Sequence, residues 1–302
     1  MMRLLSAMLI CLSGRFAMAD VPQVAVDILP LHSLAARVMQ GLGTPDLILP
    51  PGASPHGYAM RPSQAAALAN ADLVVWVGSD LTPWLEMPIR NLATESNTIE
   101  VLTLPGTVVL PFREGALFEG EAHDHTHADD HGTLDPHAWL DPVNAGLWME
   151  QIAKNLAAQD PDNASLYVAN AADGRAELAA LSDQIETIVA PIRGARFMVF
   201  HDAYHYFEAR FDVEAAGAIS LGDAAAPGPG RLAKLRASIA DRELNCVFAE
   251  PQFDAGLIET VVDGTGTSIK VLDPMGSNLL PGPAQYRELL LQMATAMSEC
   301  SN

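Results

Sequence analysis

Nine histidines occur in this chain of 302 residues, and three of them stand in settings suited to holding a metal ion. His56 lies in LPPGASPHGY, just after the apolar run Leu47–Leu49. His137 lies in DPHAWLDP, and His201 follows the apolar run FMVF and opens HDAYHYF. A carboxylate, Asp273, follows IKVL in the segment VLDPMG. Taken singly, a histidine is more often a surface or core residue, and an aspartate before proline is more often a turn or a cap. Together, three imidazoles and a carboxylate suit Zn²⁺, which favours a tetrahedral shell of N, S and O donors. Imidazole-rich sites select zinc or copper over manganese and magnesium, which prefer oxygen. Four protein donors would close the shell, which suits carriage, whereas a catalytic zinc keeps a position open for water. Only neutral imidazoles ligate, so affinity should fall as pH drops through about 6.5. Asp202 and Glu250 are candidates to orient the rings through hydrogen bonds.

The elements that must carry these residues follow from the apolar pattern. Val24–Leu29, Leu47–Leu49, Leu73–Val77 and Ile99–Leu104 read as strands of a first half, and Phe197–Phe200, Ala215–Ile219, Cys246–Ala249 and Ile269–Leu272 as strands of a second. Ala-rich helical stretches such as Ser33–Gln40, Pro62–Ala71 and Arg231–Asp241 lie between them. This alternation predicts an α/β chain of two lobes with mainly parallel sheets flanked by helices. His56, His201 and Asp273 then sit at or just beyond the carboxyl ends of strands, where open α/β sheets bind ligands; a loop delivers His137. Between the halves, Asp160 and Pro161 signal a helix start. Tyr167, Ala171, Gly174, Leu178, Leu181, Ile185 and Ile188 then recur in steps of four and three along one face. A helix over 161–189 would span roughly 43 Å, a spine linking the lobes.

The start of the chain reads as an export signal over 1–19: Arg3, an apolar stretch Leu4–Leu12, then Ala17-Met18-Ala19 before Asp20. Cys11 does not read as a lipoprotein cysteine, because Ile10 precedes it where a small residue is needed. No other apolar run reaches the ~18 residues of a membrane span. The organisation expected is therefore a signal peptide at 1–19, an N-terminal lobe at 20–158, a linking helix at 159–190 and a C-terminal lobe at 191–302. The formal charge is −20, and losing Arg3 and Arg15 with the signal takes it to −22. Such a surface repels nucleic acid and attracts cations. Two cysteines, Cys246 and Cys300, remain after the signal, and in an oxidising compartment an even pair suggests a disulfide. It would tie the last helix to a strand, for about 4 kcal/mol in chain-entropy terms. The alternative, a metal-binding pair, is poorly served by two cysteines so far apart and outside any C-x-x-C.

One segment has no core-building residue. Glu121–His131 reads EAHDHTHADDH, placing His123, His125, His127 and His131 among acids in an exposed loop. LGDAAAPGPGR is Gly/Pro-rich but lacks the Lys-Ser/Thr of a phosphate loop, and reads as a loop near the cleft.

The segments LPPGASPHGYAMRPSQ, DPHAWLDPVNA, MVFHDAYHYF, EPQF and VLDPMG, in this order, resemble the cluster A-I (cluster 9) solute-binding proteins of metal ABC transporters, and specifically their zinc-binding branch. The resemblance covers essentially the whole chain after the signal. It implies two α/β lobes joined by one long rigid helix, with the metal in the cleft between them. It implies His56, His137, His201 and Asp273 as ligands, and zinc rather than manganese, because manganese-type relatives typically carry Glu where His201 stands. An acidic, His-rich loop before the second ligand and a C-terminal disulfide like Cys246–Cys300 are also typical of zinc-type relatives. There are two departures. Some zinc-type relatives have Glu immediately before the first ligand where this chain has Pro55, which strengthens Asp273 as fourth donor. His205 stands where relatives often have a small residue; it could line the cleft, donate in place of another ligand, or be an ordinary polar neighbour.

The function implied is high-affinity capture of periplasmic Zn²⁺ by a monomer that delivers it to an ABC permease driven by a cytoplasmic ATPase, without enzymatic activity. The loop histidines would deliver weakly held zinc to the main site, hold extra zinc as a buffer or sensor, or accept zinc from a periplasmic chaperone. The competing readings are a zinc-dependent metallohydrolase using Asp273 as base, although no HExxH is present, and a zinc buffer or surface adhesin with no transporter.

Overall fold

The computed structural model describes residues 21–113, 118, 134–220, 228–242, 244–253 and 255–301. The signal peptide expected over 1–19 and the His-rich loop 121–131 lie outside the described residues.

The N-terminal half runs β1 (Val24–Val26), α1 (Leu29–Val38), β2 (Asp46–Leu47), α2 (Pro62–Ala69), β3 (Leu73–Trp76), α3 (Pro83–Leu92) and β4 (Asn97–Glu100). Its sheet has the order β2-β1-β3-β4, parallel throughout. Two long helices follow, α4 (Pro142–Gln159) and α5 (Ala164–Val189). The C-terminal half runs β5 (Phe197–Val199), α6 (His205–Phe211), α7 (Pro229–Arg242), β6 (Cys246–Ala249), α8 (Ala255–Val262), β7 (Ser268–Val271) and α9 (Gln285–Ser298). Its sheet has the order β5-β6-β7, again parallel. β1, β3, β5 and β6 are buried at every position, as strands covered on both faces by helices must be.

Several elements differ from the sequence expectation, each for a local reason. The first strand ends at Val26, because Pro30 fills the first turn of α1 and its fixed φ starts the helix early. The stretch expected as strand over Ile99–Leu104 pairs only to Glu100 and then tightens into a 3₁₀ turn, Val101–Thr103. Ala215–Ile219 makes a single parallel bridge, Val199 with Ala218, rather than a full ladder. The spine begins at Ala164 rather than 161. Asp160 closes α4 instead, its N–H donating to Leu156 O, and Pro161 has no N–H with which to continue. Asp160 Oδ2 then accepts from Asn163 Nδ2 at 2.8 Å and Tyr167 Oη at 3.0 Å, which fixes the corner.

At 26 residues α5 is about 39 Å long. Its buried face carries Tyr167, Asn170, Ala171, Gly174, Leu178, Leu181, Ile185 and Val189, the predicted stripe with Val189 in place of Ile188. A Cβ at Gly174 would stand 2.8 Å from Met149 Sδ, so this glycine is what lets α4 lie close against the spine. Asn170 Nδ2 donates to Val38 O and Gln40 O, both at 2.9 Å, satisfying carbonyls at the end of α1. α9 packs on both α5 and α1, with Tyr286 N donating to Ser33 Oγ at 3.0 Å. The bridge Cys246–Cys300, with Cα atoms 5.7 Å apart, ties β6 to the turn after α9. One apolar core runs from Val24 and Val75 in the first sheet, through Leu178 and Ile185 of the spine, to Phe197 and Phe248 in the second.

Candidate metal centre

His56, His137 and His201 converge from three different parts of the chain. His56 sits in the turn-rich loop between β2 and α2. That loop is tied down by Trp84 Nε1, which donates to Pro55 O at 2.7 Å, and by Tyr58, whose ring meets Trp84 edge-on at 5.4 Å. His137 precedes the 3₁₀ turn Ala138–Leu140, and Asp141 then caps α4 by accepting from Val143 N at 2.8 Å. His201 lies just past the end of β5, at the carboxyl edge of the second sheet. One ligand-capable nitrogen from each ring falls in a group whose members all lie within 4.8 Å of one another. The ring centroids are 5.3 to 6.4 Å apart.

Two rings are set by buried carboxylates. His137 Nδ1 stands 2.7 Å from Asp135 Oδ1, which also accepts the His137 backbone N–H at 3.0 Å. His201 Nδ1 stands 2.6 Å from Glu250 Oε1. A carboxylate can only accept, so each Nδ1 carries the proton and each Nε2 presents its lone pair. In His137 that Nε2 is buried with no partner among the described residues. A buried acceptor without a partner is costly, and a cation shared by the three rings would satisfy it. Trp139, Phe253, Pro274 and Met275 give the cavity apolar wall around the donors, with Ser54 and Gln252 as polar neighbours, and Phe253 meets the His201 ring edge-on at 5.4 Å. Trp139 Nε1 donates to Pro274 O at 2.8 Å, which joins the His137 turn to the loop after β7.

Asp273 is not drawn into this group. Its Oδ1 accepts from Gln252 Nε2 at 3.0 Å and Met275 N at 2.9 Å, and its Oδ2 from Ser277 N at 2.7 Å and Ser277 Oγ at 2.6 Å. Of the two carboxylates considered as ring partners, Glu250 takes that part. Asp202 turns instead to Arg113, whose guanidinium also donates to Glu208 Oε2 at 2.7 Å. Asp135 is the ring partner that sequence reasoning missed. Its signal was present in Asp-Pro-His, where an aspartate can accept from the backbone two residues on. His205 opens α6 apart from the three rings, with Nδ1 3.7 Å from Asp135 Oδ2. Among the described residues no helix is long and apolar enough to cross a membrane.

Residues 24–300 match the sequence profile of a family described as zinc-uptake complex component A, periplasmic, or ZnuA. The chain belongs to the ZnuA family. It is 39% identical to the high-affinity zinc uptake system protein ZnuA of Paracoccus denitrificans (strain Pd 1222), across 94% of this chain and 93% of that protein. It is 36% identical to the protein of the same name from Brucella abortus (strain 2308), across 98% of this chain and 97% of the relative. A crystal structure of ZnuA superposes with a TM-score of 0.80 at 25% identity, covering 94% of this chain and 100% of that one. The ZnuA match takes in both sheets, the spine and every described candidate donor.

Proposed function

We propose that this chain captures Zn²⁺ in the periplasm between its two lobes and passes it to the permease of an ABC importer, whose ATPase lies in the cytoplasm. The observation that carries the reading is the cluster of three imidazoles within 4.8 Å, two of them oriented by buried carboxylates. ZnuA family membership supports zinc as the cargo and transport as the role. It gives no support to the metallohydrolase alternative. We assign His56, His137 and His201 as zinc ligands. Asp273 is the fourth donor in this reading, and to reach the metal it must exchange at least one of its four hydrogen bonds for the bond to zinc. The lobes are taken as 20–158 and 191–302 around a linker at 159–190. The working form is a monomer released from its signal after Ala19. The histidines at 123, 125, 127 and 131 are assigned to zinc acquisition, with a periplasmic chaperone as one donor.

The deciding experiment titrates the metal-free protein with Zn²⁺ and Mn²⁺ against a competing chelator, beside His201→Ala and a chain lacking 121–131. The expected outcome is one tight zinc equivalent, weak manganese binding, loss of tight binding in His201→Ala and its retention without the loop. Tight manganese binding, or an unaffected His201→Ala, would overturn the assignment.

A further inference from the structure

We propose that Gln252 is a latch on the fourth coordination position: it holds Asp273 away from the three histidines until zinc arrives, and so sets how tightly the ion is kept. This deepens the zinc-capture reading and rests on it.

Three observations carry the proposal. Gln252 and the three histidines line the same cavity, together with Pro274 and Met275, the two residues that follow Asp273. The backbone bearing Asp273 therefore runs along the wall of the metal site while its carboxylate stays out of the donor group. Next, the four hydrogen bonds on that carboxylate differ in origin. Those from Met275 N, Ser277 N and Ser277 Oγ come from its own loop and can travel with it. Among the described residues only Gln252 Nε2, at 3.0 Å, reaches it from another element, the turn after β6 that also carries Glu250, the carboxylate behind His201. Last, the amide is half-satisfied. An ionised carboxylate accepts but does not donate, so the nitrogen faces Asp273 and the oxygen turns away. That oxygen, Oε1, is buried with no partner among the described residues.

An amide held with one end bonded and the other unpartnered is poised to let go. When zinc occupies the three rings, Oδ1 can exchange a neutral amide N–H for a dication, and Gln252 is freed to satisfy both ends elsewhere. No bond other than this hydrogen bond is broken, and no proton moves. Gln252 is a positioning residue here: it acts on the ion through Asp273.

The test measures zinc affinity by chelator competition, and the zinc release rate, in wild type, Gln252→Met, Asp273→Asn and the double variant. Methionine keeps the volume and removes the donor. Gln252→Met is expected to tighten zinc binding about tenfold and slow release, because a hydrogen bond to a charged group no longer competes. That gain should vanish when Gln252→Met is introduced into Asp273→Asn. No change or weaker binding in Gln252→Met overturns the latch, and so does the same gain in the Asp273→Asn background. His201→Ala in the same series separates the two layers. If it loses tight binding while Gln252→Met is unchanged, the latch alone fails. If it keeps tight binding, the site assignment fails and the latch with it.

Discussion

Asp135 and Glu250 stand behind the rings of His137 and His201 and decide which nitrogen of each is available to a metal. Replacing Glu250 with Gln keeps the shape but lets the amide present either a donor or an acceptor to Nδ1, so the tautomer is no longer enforced. Zinc affinity of Glu250→Gln should fall about 10- to 100-fold by chelator competition. Asp202→Asn should change it far less, because that carboxylate serves Arg113; equal losses in the two variants would contradict this division of roles. The three clustered histidines were legible in the sequence because each lies beside an apolar run or a turn motif that fixes its place at the mouth of the fold. Glu250 was legible only as a candidate, since pairing it with His201 requires knowing that β5 and β6 are neighbours. The state of Asp273 was not legible, because Gln252 meets it only once two loops are packed together, and the bonds from Met275 and Ser277 depend on how its own loop turns back.

Where strands end, single side chains hold neighbouring elements together, and Asp27 does so in the first sheet. Its carboxylate accepts from Ile28 N at the start of α1 and from Val77 N past the end of β3, both at 2.8 Å. Burial pushes its pKa up to about 7, against the opposing pull of those two N–H groups. The folded chain therefore keeps a proton that the unfolded chain releases above 3.8. Protonation favours the fold, so this contribution is complete below pH 3.8 and is lost as pH rises through about 7. Asp27→Asn should be less stable overall, since its NH₂ must face a backbone donor. Its deficit relative to wild type should shrink as pH rises from 4 to 7 in denaturant melts, and a deficit constant with pH would refute the assignment. The division of the strands into two halves and the spine followed from the apolar pattern, whereas α4 was not anticipated. Its apolar positions are interspersed with Asn144, Gly146 and Lys154, and its start depends on a cap, Asp141, whose geometry the sequence only hints at.

Taken whole, the molecule has two sheets whose inner faces share one core, while the other face of each packs a smaller cluster of its own. Apolar packing continues from the first sheet across α5 and α9 into the second, and Trp139 and Tyr286 add hydrogen bonds across the same region. The metal-free protein should unfold in one calorimetric transition, and zinc should shift that transition upward as a single peak, by the linkage between binding and folding. Two resolved transitions would show that the lobes are independent units.

The continuous core also constrains how cargo can leave. A protein with a free hinge can be emptied by a partner that grips both lobes and levers them apart over several ångströms. Here such a lever would have to tear packed side chains from α5 and α9. The attachments nearest the metal site are local ones: Trp84 holds the loop that carries His56, and one glutamine amide helps to hold the segment 273–277. Mechanical work done on this protein from outside is therefore best spent as a pull on those two loops, a picklock rather than a crowbar.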